Sequence, residues 1–320
     1  MEMMQYLDET EESVDKAINR YFGCAFGELY KAGAHLLTAG GKRLRPAVLL
    51  LSAEAVRKGS AADLMQAALA LELTHTFTLI HDDIMDGDTA RRGVPTVHTI
   101  WGEPTAILAG DVLYAKAFEF LCTAYADDRA KVYAVKMLAK ACADVCEGQN
   151  MDISFEKRTD ITELDYLEMV QKKTGALYAA AAAIGGILAG GNQVQITALY
   201  QFGLNSGVAF QVQDDLIDLV ASAEQSGKDR ASDIREGKQT LIAVKAREKG
   251  LDLSPYRRDM TDTEIDSLIA LLDDAGIIDE VRAFAVERAE TAKLALSVLS
   301  DSEEKQILLD IADFFISRGF

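Results

Sequence analysis

The chain has 320 residues, 49 % of them hydrophobic, and a formal net charge of −18. That much apolar sequence can bury a large core, and the length alone would allow two domains. The acidic balance argues against general nucleic-acid binding, which needs a basic surface that displaces counterions from phosphates.

Proline is scarce, and this predicts a helical chain. Only four prolines are present, so about 150 residues between Pro104 and Pro255 contain no helix breaker. The sequence between them is rich in Ala, Leu, Glu and Lys, which favour helices. We therefore predict an all-α protein with a single domain over residues 1–320.

The N-terminal segment, MEMMQYLDETEESVDKAINRYFG, is acidic and amphipathic and lacks the basic and apolar regions of a secretory signal. The four cysteines (Cys24, Cys122, Cys142 and Cys146) form no CxxC pair, so buried reduced thiols are favoured over a metal site or disulfides. These features predict a cytoplasmic protein.

The segment GGKRLRP, residues 40–46, brings Lys42, Arg43 and Arg45 to the start of an apolar run. The glycines before and the proline after these residues predict a fixed loop at a helix start. The chain contains no P-loop and no GxGxxG motif, so a nucleotide phosphate is not indicated.

A helix is predicted over residues 65–86, and its end carries a DDxxD motif. Asp82 and Asp86 would share one helix face, with Asp83 beside them. Like charges at this spacing cost about 0.2–0.5 kcal/mol per pair, so the cluster calls for a cation such as Mg²⁺. Arg91 and Arg92 follow at once, and guanidinium groups bind phosphate oxygens bidentately.

The same pattern returns in FQVQDDLID, where Asp214 and Asp215 are followed by Asp218. The chain's other Asp pairs, at 127–128 and 273–274, lack the third aspartate and sit near predicted helix ends, which is typical of solvated termini. We predict that the two DDxxD motifs face each other across a bundle interior and hold metal ions.

No charged residue occurs from Thr174 to Gln213, which leaves two interpretations open. A membrane span is one. The Ala- and Gly-rich composition and the interruption GGNQVQ favour the other, two closely packed internal helices or a subunit interface. The C-terminal third has apolar residues at helical spacing and is predicted to form covering helices.

These motifs resemble, in order and spacing, those of the head-to-tail trans-prenyl diphosphate synthases. The matching segments are GGKRLRP, LELTHTFTLIHDDIMDGDTARRG, EGQ at 147–149, KTG at 173–175, FQVQDDLID and GKDRASDIREGKQT. The resemblance covers about residues 38–240. It implies the all-helical isoprenoid synthase fold, a bundle around a deep central cavity, usually as a homodimer, with two or three Mg²⁺ ions as cofactor.

The resemblance also implies a role for each matching residue. Asp82, Asp86 and Asp214 would be the main metal ligands, with Asp83, Asp215 and Asp218 supporting them or binding through water. Arg91, Lys173 and Lys228 would grip the diphosphate of the allylic substrate, with Lys238 close by. Lys42, Arg45, His75 and Arg92 would bind the diphosphate of isopentenyl diphosphate, and Thr174 and Gln211 would lie near the reacting carbon. His35, His81 and His98 are interpreted as structural, and the role of Arg43 stays open.

The implied reaction is a condensation. Mg²⁺ and the basic side chains stabilise the departing pyrophosphate as the allylic C–O bond breaks, and the double bond of isopentenyl diphosphate attacks the resulting cation. Arg91, Lys173, Thr174 and Gln211 are the residues expected nearest the chemistry. The released pyrophosphate would take the proton, so no protein base is needed, and the loop around 221–238 is a candidate lid that excludes water.

Product length is expected to depend on Phe77 and Thr78, because in this family the residues just before the first motif form the floor under the growing chain. Phe77 precedes Asp82 by five residues, about 7.5 Å along a helix. An aromatic followed by a small residue resembles geranylgeranyl makers, whereas two aromatics are typical of eukaryotic-type farnesyl makers. We predict geranylgeranyl diphosphate, with farnesyl diphosphate or a mixture as the alternative.

Two other functions remain as alternatives. A class I terpene cyclase also uses DDxxD, but its second metal site usually carries Asn, Ser and Glu, whereas this chain has a second DDxxD. A non-catalytic partner subunit would be expected to have lost aspartates, and both motifs are intact here.

Overall fold

The computed structural model describes residues 2–23, 27–220 and 230–317, and nearly all of its regular structure is helical. The α-helices in this part of the chain are α1 (Met3–Phe22), α2 (Glu28–Thr38), α3 (Leu44–Val56), α4 (Met65–Asp86), α5 (Val97–Trp101), α6 (Glu103–Cys122), α7 (Asp128–Phe155), α8 (Glu163–Val170), α9 (Ala176–Leu188), α10 (Gln193–Val220), α11 (Ser232–Glu236), α12 (Leu241–Glu248), α13 (Asp262–Asp274), α14 (Ile277–Ala295) and α15 (Glu303–Ser317). A π turn (Gln171–Gly175) joins α8 to α9, and short 3₁₀ turns lie at Ala61–Asp63, Ser254–Tyr256 and Leu296–Val298. The predicted all-α class is confirmed.

The chain forms two compact units. Unit 1 contains Met1–Lys140, Ala180–Tyr200 and Val298–Leu308, and unit 2 contains Ala141–Ala179, Gln201–Ser297 and Leu309–Phe320. Helices α7, α9, α10 and α15 contribute residues to both. The single domain over residues 1–320 stays a prediction.

Helix α4 forms the centre of unit 1, and its bounds are those predicted. Every residue from Ala67 to Leu71 is fully buried, as expected for an internal helix that is apolar all round. Helix α6 packs closely against α4, since a Cβ at Gly110 would lie 2.2 Å from His81 Nε2. Gly87 ends α4 in the left-handed conformation (φ 72°), so the chain turns directly after the aspartate motif.

A hairpin follows α4, and the sequence patterns did not predict it. Strands β1 (Ala90–Arg91) and β2 (Val94–Pro95) pair antiparallel. Arg92 and Gly93 between them have φ of 54° and 75°, the positive values that a type I′ turn requires at both central positions. The turn fixes the directions in which the two adjacent arginines point.

In unit 2 the backbones approach closely because glycines line the contacts. A Cβ at Gly203 of α10 would lie 2.3 Å from the Tyr178 carbonyl oxygen of α9. The uncharged stretch 174–213 therefore forms two packed helices with a turn between them, as predicted. None of the helices described is long and apolar enough to cross a membrane.

The remaining local predictions have mixed outcomes. Asp128 begins α7 and Asp274 ends α13, which confirms both Asp pairs as helix termini. Cys122, Cys142 and Cys146 carry free thiols, but only Cys142 is buried, so the prediction of burial was wrong for the other two, which lie on exposed helix surface. Cys24 lies outside the described residues.

Candidate active site

The first aspartate motif is held by the hairpin. Asp83 is buried and accepts a hydrogen bond from Arg91 Nε, while Arg91 Nη2 donates to Asp88 at 3.0 Å. Burial raises the pKa of the Asp83 carboxyl above its usual range, and Arg91 opposes this. Asp82 is half-buried and Asp86 is exposed on the same face of α4. Asp83 therefore orients Arg91, whereas the side chains of Asp82 and Asp86 are at least partly accessible to solvent.

The donor chemistry of this motif fits Mg²⁺. Among the described residues, no three acidic, histidine or cysteine side chains converge as a ready-made cation site. Mg²⁺ typically needs only one or two carboxylates when substrate phosphates and waters complete its shell. The buried Asp83 Oδ2 has no hydrogen-bond partner within the described part of the chain. Carboxylates of this kind suit an ion that arrives with a diphosphate.

The second arginine of the hairpin belongs to a different cluster. Arg92 Nη1 donates to the carbonyl oxygens of Gly40 (2.6 Å) and Leu36 (3.1 Å). A Cβ at Gly41, where φ is 144°, would lie 2.9 Å from Arg92 Cζ, so only glycine allows the loop to wrap the guanidinium. The loop beginning GGKR and the hairpin thus form one basic surface.

His75 lies on α4 within reach of this basic surface. Burial, followed by the charges of Arg45 and Arg92, holds the pKa of His75 well below its usual range. Its imidazole is therefore neutral near pH 7, and it can bind a diphosphate as a hydrogen-bond donor without adding charge. In the loop that begins GGKR, Lys42 is exposed. Arg45, in the first turn of α3, is half-buried.

Arg43, whose role the sequence left open, is structural. Its side chain is fully buried, with φ of 44°, and donates to Asp15 (2.9 Å), Glu72 (2.6 Å) and the Leu37 carbonyl oxygen (2.6 Å). Glu72 also lies 3.8 Å from Arg92. Of the three histidines interpreted as structural, two contact backbone carbonyl oxygens: the His35 ring contacts that of Pro95 (2.8 Å), and the His81 ring contacts that of Ile107 (3.0 Å).

Replacing Glu72 by leucine is expected to destabilise the protein by about 3–5 kcal/mol, because it leaves the Arg43 charge buried without its closest partner. Chemical denaturation measures the loss. The double variant Arg43→Met/Glu72→Leu should recover much of it, since both fully buried charges are then removed and Asp15, the other partner of Arg43, is partly exposed. Asp128→Asn, which breaks an exposed ion pair with Lys131, serves as the control and should leave the unfolding midpoint unchanged. A double variant as unstable as Glu72→Leu would contradict this account.

In unit 2 the KKTG segment forms the π turn, a local widening of the helix that is often found at functional sites. Lys173 is half-buried and pairs with Asp152 at 2.5 Å, and Thr174 is buried and donates to Gln211 Oε1 at 2.9 Å. Consecutive residues thus reach partners on two different helices, α7 and α10.

Gly148 of the EGQ segment accommodates this turn. A Cβ there would lie 2.3 Å from Lys173 N and 2.7 Å from its Cα. Gly148→Ala is therefore expected to cost about 1–3 kcal/mol and to displace Lys173 and Thr174, with a large loss of activity. Thermal unfolding and steady-state assays measure both effects. Gly33→Ala is the matched control, because its Cβ would meet Leu113 at an ordinary 3.5 Å. Equal tolerance of both substitutions would refute the role of the close approach.

The three aspartates of the second motif differ in their surroundings. Asp214 is half-buried. Asp215 is buried and accepts hydrogen bonds from Tyr166 Oη (2.8 Å) and Gln211 Nε2 (2.9 Å), and burial, together with Asp233, raises its pKa well above the usual range. Asp218 accepts from Ser232 Oγ and from Asp233 N (3.1 Å), so it caps α11.

The basic residues beyond this motif lie partly outside the described residues. Lys238 is half-buried and lies 3.2 Å from Glu236 and 3.5 Å from Asp233. A cavity of about 70 Å³ is lined by Lys173, Thr174, Gln211 and Lys238, among others. Lys228 and the first part of the candidate lid at 221–238 are not among the residues described.

Sequence reasoning missed the side chains that hold these groups in place, namely Glu72, Asp152, Tyr166 and Asp233. Asp152 follows EGQ closely and Asp233 lies inside GKDRASDIREGKQT, so proximity to a motif was an available signal for both. Glu72 lies inside LELTHTFTLIHDDIMDGDTARRG and carried the same signal, whereas Tyr166 lies in none of the matching segments and meets Asp215 only through the fold.

Known proteins resemble this chain over its whole length. The family model described as Polyprenyl synthetase matches residues 27–265. The chain is 46 % identical to geranylgeranyl diphosphate synthase of Methanosarcina mazei, with 100 % of both proteins covered. It is 44 % identical to geranylfarnesyl diphosphate synthase of Natronomonas pharaonis, covering 98 % of this chain and 96 % of that protein.

The match extends to three-dimensional structure. Geranylgeranyl pyrophosphate synthetase from Geoglobus acetivorans gives a TM-score of 0.91 at 44 % identity, covering 98 % of this chain and 99 % of that one. The isoprenoid synthase fold implied by the motifs is thereby confirmed. The chain belongs to the polyprenyl synthetase family and is a prenyltransferase of the isoprenyl diphosphate synthase type.

Proposed function

We propose that this enzyme condenses isopentenyl diphosphate with allylic diphosphates and that its main product is geranylgeranyl diphosphate. One observation carries the two-substrate assignment. The adjacent residues Arg91 and Arg92 of a single tight turn are committed to different clusters, Arg91 to Asp83 and Arg92 to the loop at Gly40. One turn thus serves two separate anion sites, as an enzyme with two diphosphate substrates requires.

The allylic diphosphate is the substrate assigned to the aspartate motifs. Asp82, Asp86 and Asp214 would hold Mg²⁺, with Asp83, Asp215 and Asp218 in support, and the metal would supply Lewis-acid stabilisation of the leaving group. Arg91, Lys173, Lys228 and Lys238 neutralise the same diphosphate. Thr174 and Gln211 present oxygen atoms to the positive charge that develops on the allylic carbon.

Isopentenyl diphosphate is assigned to the basic surface of unit 1. Lys42, Arg45, His75 and Arg92 bind its diphosphate, and the fixed orientation of Arg92 limits the side-chain entropy lost on binding. No general base is assigned, since the released pyrophosphate can accept the proton.

The assay is incubation of the purified protein with Mg²⁺, isopentenyl diphosphate and, separately, dimethylallyl, geranyl and farnesyl diphosphates. The dephosphorylated products are then separated by chromatography. Geranylgeraniol is the expected product. Farnesol alone, a mixture, or geranylfarnesol would keep the reaction and replace the product, while no extension from any starter by folded protein would overturn the function and favour a cyclase or a non-catalytic subunit.

We also propose that the enzyme is a cytoplasmic homodimer. Large apolar side chains are exposed along α5 and α6, including Ile100, Ile107, Leu108 and Tyr114. An apolar surface of this kind is typical of homodimer interfaces. Light scattering should give twice the chain mass, and Leu108→Lys should shift the mass toward the monomer, whereas a monomeric wild-type protein would contradict the proposal.

A further inference from the structure

Three hydrogen bonds connect α8, α10 and the π turn inside unit 2. Tyr166 Oη donates to Asp215 Oδ2 at 2.8 Å, and Gln211 Nε2 donates to Asp215 Oδ1 at 2.9 Å. Thr174 Oγ1 in turn donates to Gln211 Oε1 at 2.9 Å. Tyr166, Asp215 and Thr174 are buried, and all four residues line the cavity of about 70 Å³.

The carboxylate gives this network a direction. Oδ1 of Asp215 accepts from the NH₂ group of Gln211, so the carbonyl oxygen of that amide is turned toward Thr174. The Thr174 hydroxyl has a single proton and gives it to Gln211. Its lone pairs are then the part of the group left for a ligand in the cavity.

Tyr166 holds the carboxylate in this arrangement. Its hydroxyl occupies Oδ2, the oxygen of Asp215 that Gln211 does not use. With that donor removed, the carboxylate has one anchor instead of two and can rotate about its side-chain bonds. The Gln211 amide loses its fixed partner, and the Thr174 proton is no longer confined to one direction.

We infer that Tyr166 is a positioning residue for the condensation, acting through Asp215 and Gln211 to keep the lone pairs of Thr174 turned toward the cavity. This inference rests on the proposed function, which puts Thr174 beside the carbon that becomes positive. An oxygen dipole oriented before the reaction stabilises that charge without reorganising. Tyr166 itself is not assigned any contact with substrate.

The test is a double-mutant cycle on steady-state kinetics. Tyr166→Phe keeps the ring and removes the hydroxyl, and it should lower kcat about ten- to a hundredfold while each KM stays within about twofold. Thr174→Val should lower kcat by at least as much. The double variant should be no slower than Thr174→Val alone, because both substitutions act through one hydroxyl.

Two further measurements separate positioning from general damage. Tyr178→Phe removes the hydroxyl of another fully buried tyrosine in unit 2, outside this network, and should keep wild-type kcat. Binding of a non-reactive thiolodiphosphate analogue of the allylic substrate, measured by calorimetry with Mg²⁺, should be unchanged in Tyr166→Phe.

The outcomes are distinct. Wild-type kcat in folded Tyr166→Phe, or effects of Tyr166→Phe and Thr174→Val that multiply in the double variant, would overturn the inference. Weakened binding of the analogue would also overturn it, because the hydroxyl would then act on substrate binding. Failure of the wild-type protein to extend any allylic diphosphate would instead overturn the proposed function, independently of Tyr166.

Discussion

Asp82→Asn is expected to lower kcat by roughly a thousandfold or more while leaving the fold intact. Asp82 is a proposed Mg²⁺ ligand, and loss of one carboxylate ligand would remove several kcal/mol of stabilisation from the departing pyrophosphate; about 4 kcal/mol corresponds to three orders of magnitude in rate. Asp82 is half-buried on α4, where asparagine has the same size. The substitution also removes the repulsion between Asp82 and Asp86, so the melting temperature should stay level or rise slightly.

The combination of lost activity and retained stability is the informative result. Asp273→Asn is the matched control. Like Asp82, Asp273 is the first of two consecutive aspartates, but it is exposed near the end of α13. This variant should keep wild-type kcat. In thermal-shift titrations with Mg²⁺ and pyrophosphate, the wild-type protein and Asp273→Asn should be stabilised by the ligands, and Asp82→Asn much less so. Wild-type kcat for Asp82→Asn at saturating Mg²⁺ would remove this residue from the metal site.

Much of the local structure could be predicted because it depends on neighbouring residues. The helix over 65–86 follows from a long apolar run without proline, and it ends where Gly87 supplies a left-handed conformation. The turn between α9 and α10 follows in the same way from GGNQVQ. The hairpin at Arg92 and Gly93 was not predicted, since arginine with positive φ has no reliable sequence signal.

The supporting side chains of the site depend on contacts that are distant in sequence. Arg43 is separated from Glu72 by 29 residues and Tyr166 from Asp215 by 49, so neither pairing leaves a spacing pattern. The motifs identified which residues bear charge. They could not tell that Arg43 is buried as a structural group while Arg92 and Arg45 stay near His75. Whether the two aspartate motifs face each other stays a prediction.

Phe77→Ala is expected to lengthen the product from geranylgeranyl to geranylfarnesyl diphosphate and longer chains. Phe77 is buried on α4, with its ring edge-on to Tyr114 at a centroid distance of 5.1 Å, and Tyr114 packs in the same way on Phe118. Removing the first ring of this aromatic row opens volume that a growing apolar chain can fill. Product analysis by chromatography, with farnesyl diphosphate as starter, measures the change.

The aromatic row formed by Phe77, Tyr114 and Phe118 also predicts that removing a second ring lengthens the product further. Phe77→Ala/Tyr114→Ala should give longer products than Phe77→Ala, because Tyr114 is the next ring behind Phe77. Thr78→Ala should change little, since the Thr78 hydroxyl is bonded to the His75 carbonyl oxygen of its own helix (2.7 Å). Phe22→Ala controls for lost packing, because Phe22 is about as buried (6 % against 7 % exposed) but stacks on Phe120 instead. Both phenylalanine variants should lose about 3–5 kcal/mol of stability, and only Phe77→Ala should change the product. An unchanged product from folded Phe77→Ala would locate the floor of the growing chain elsewhere.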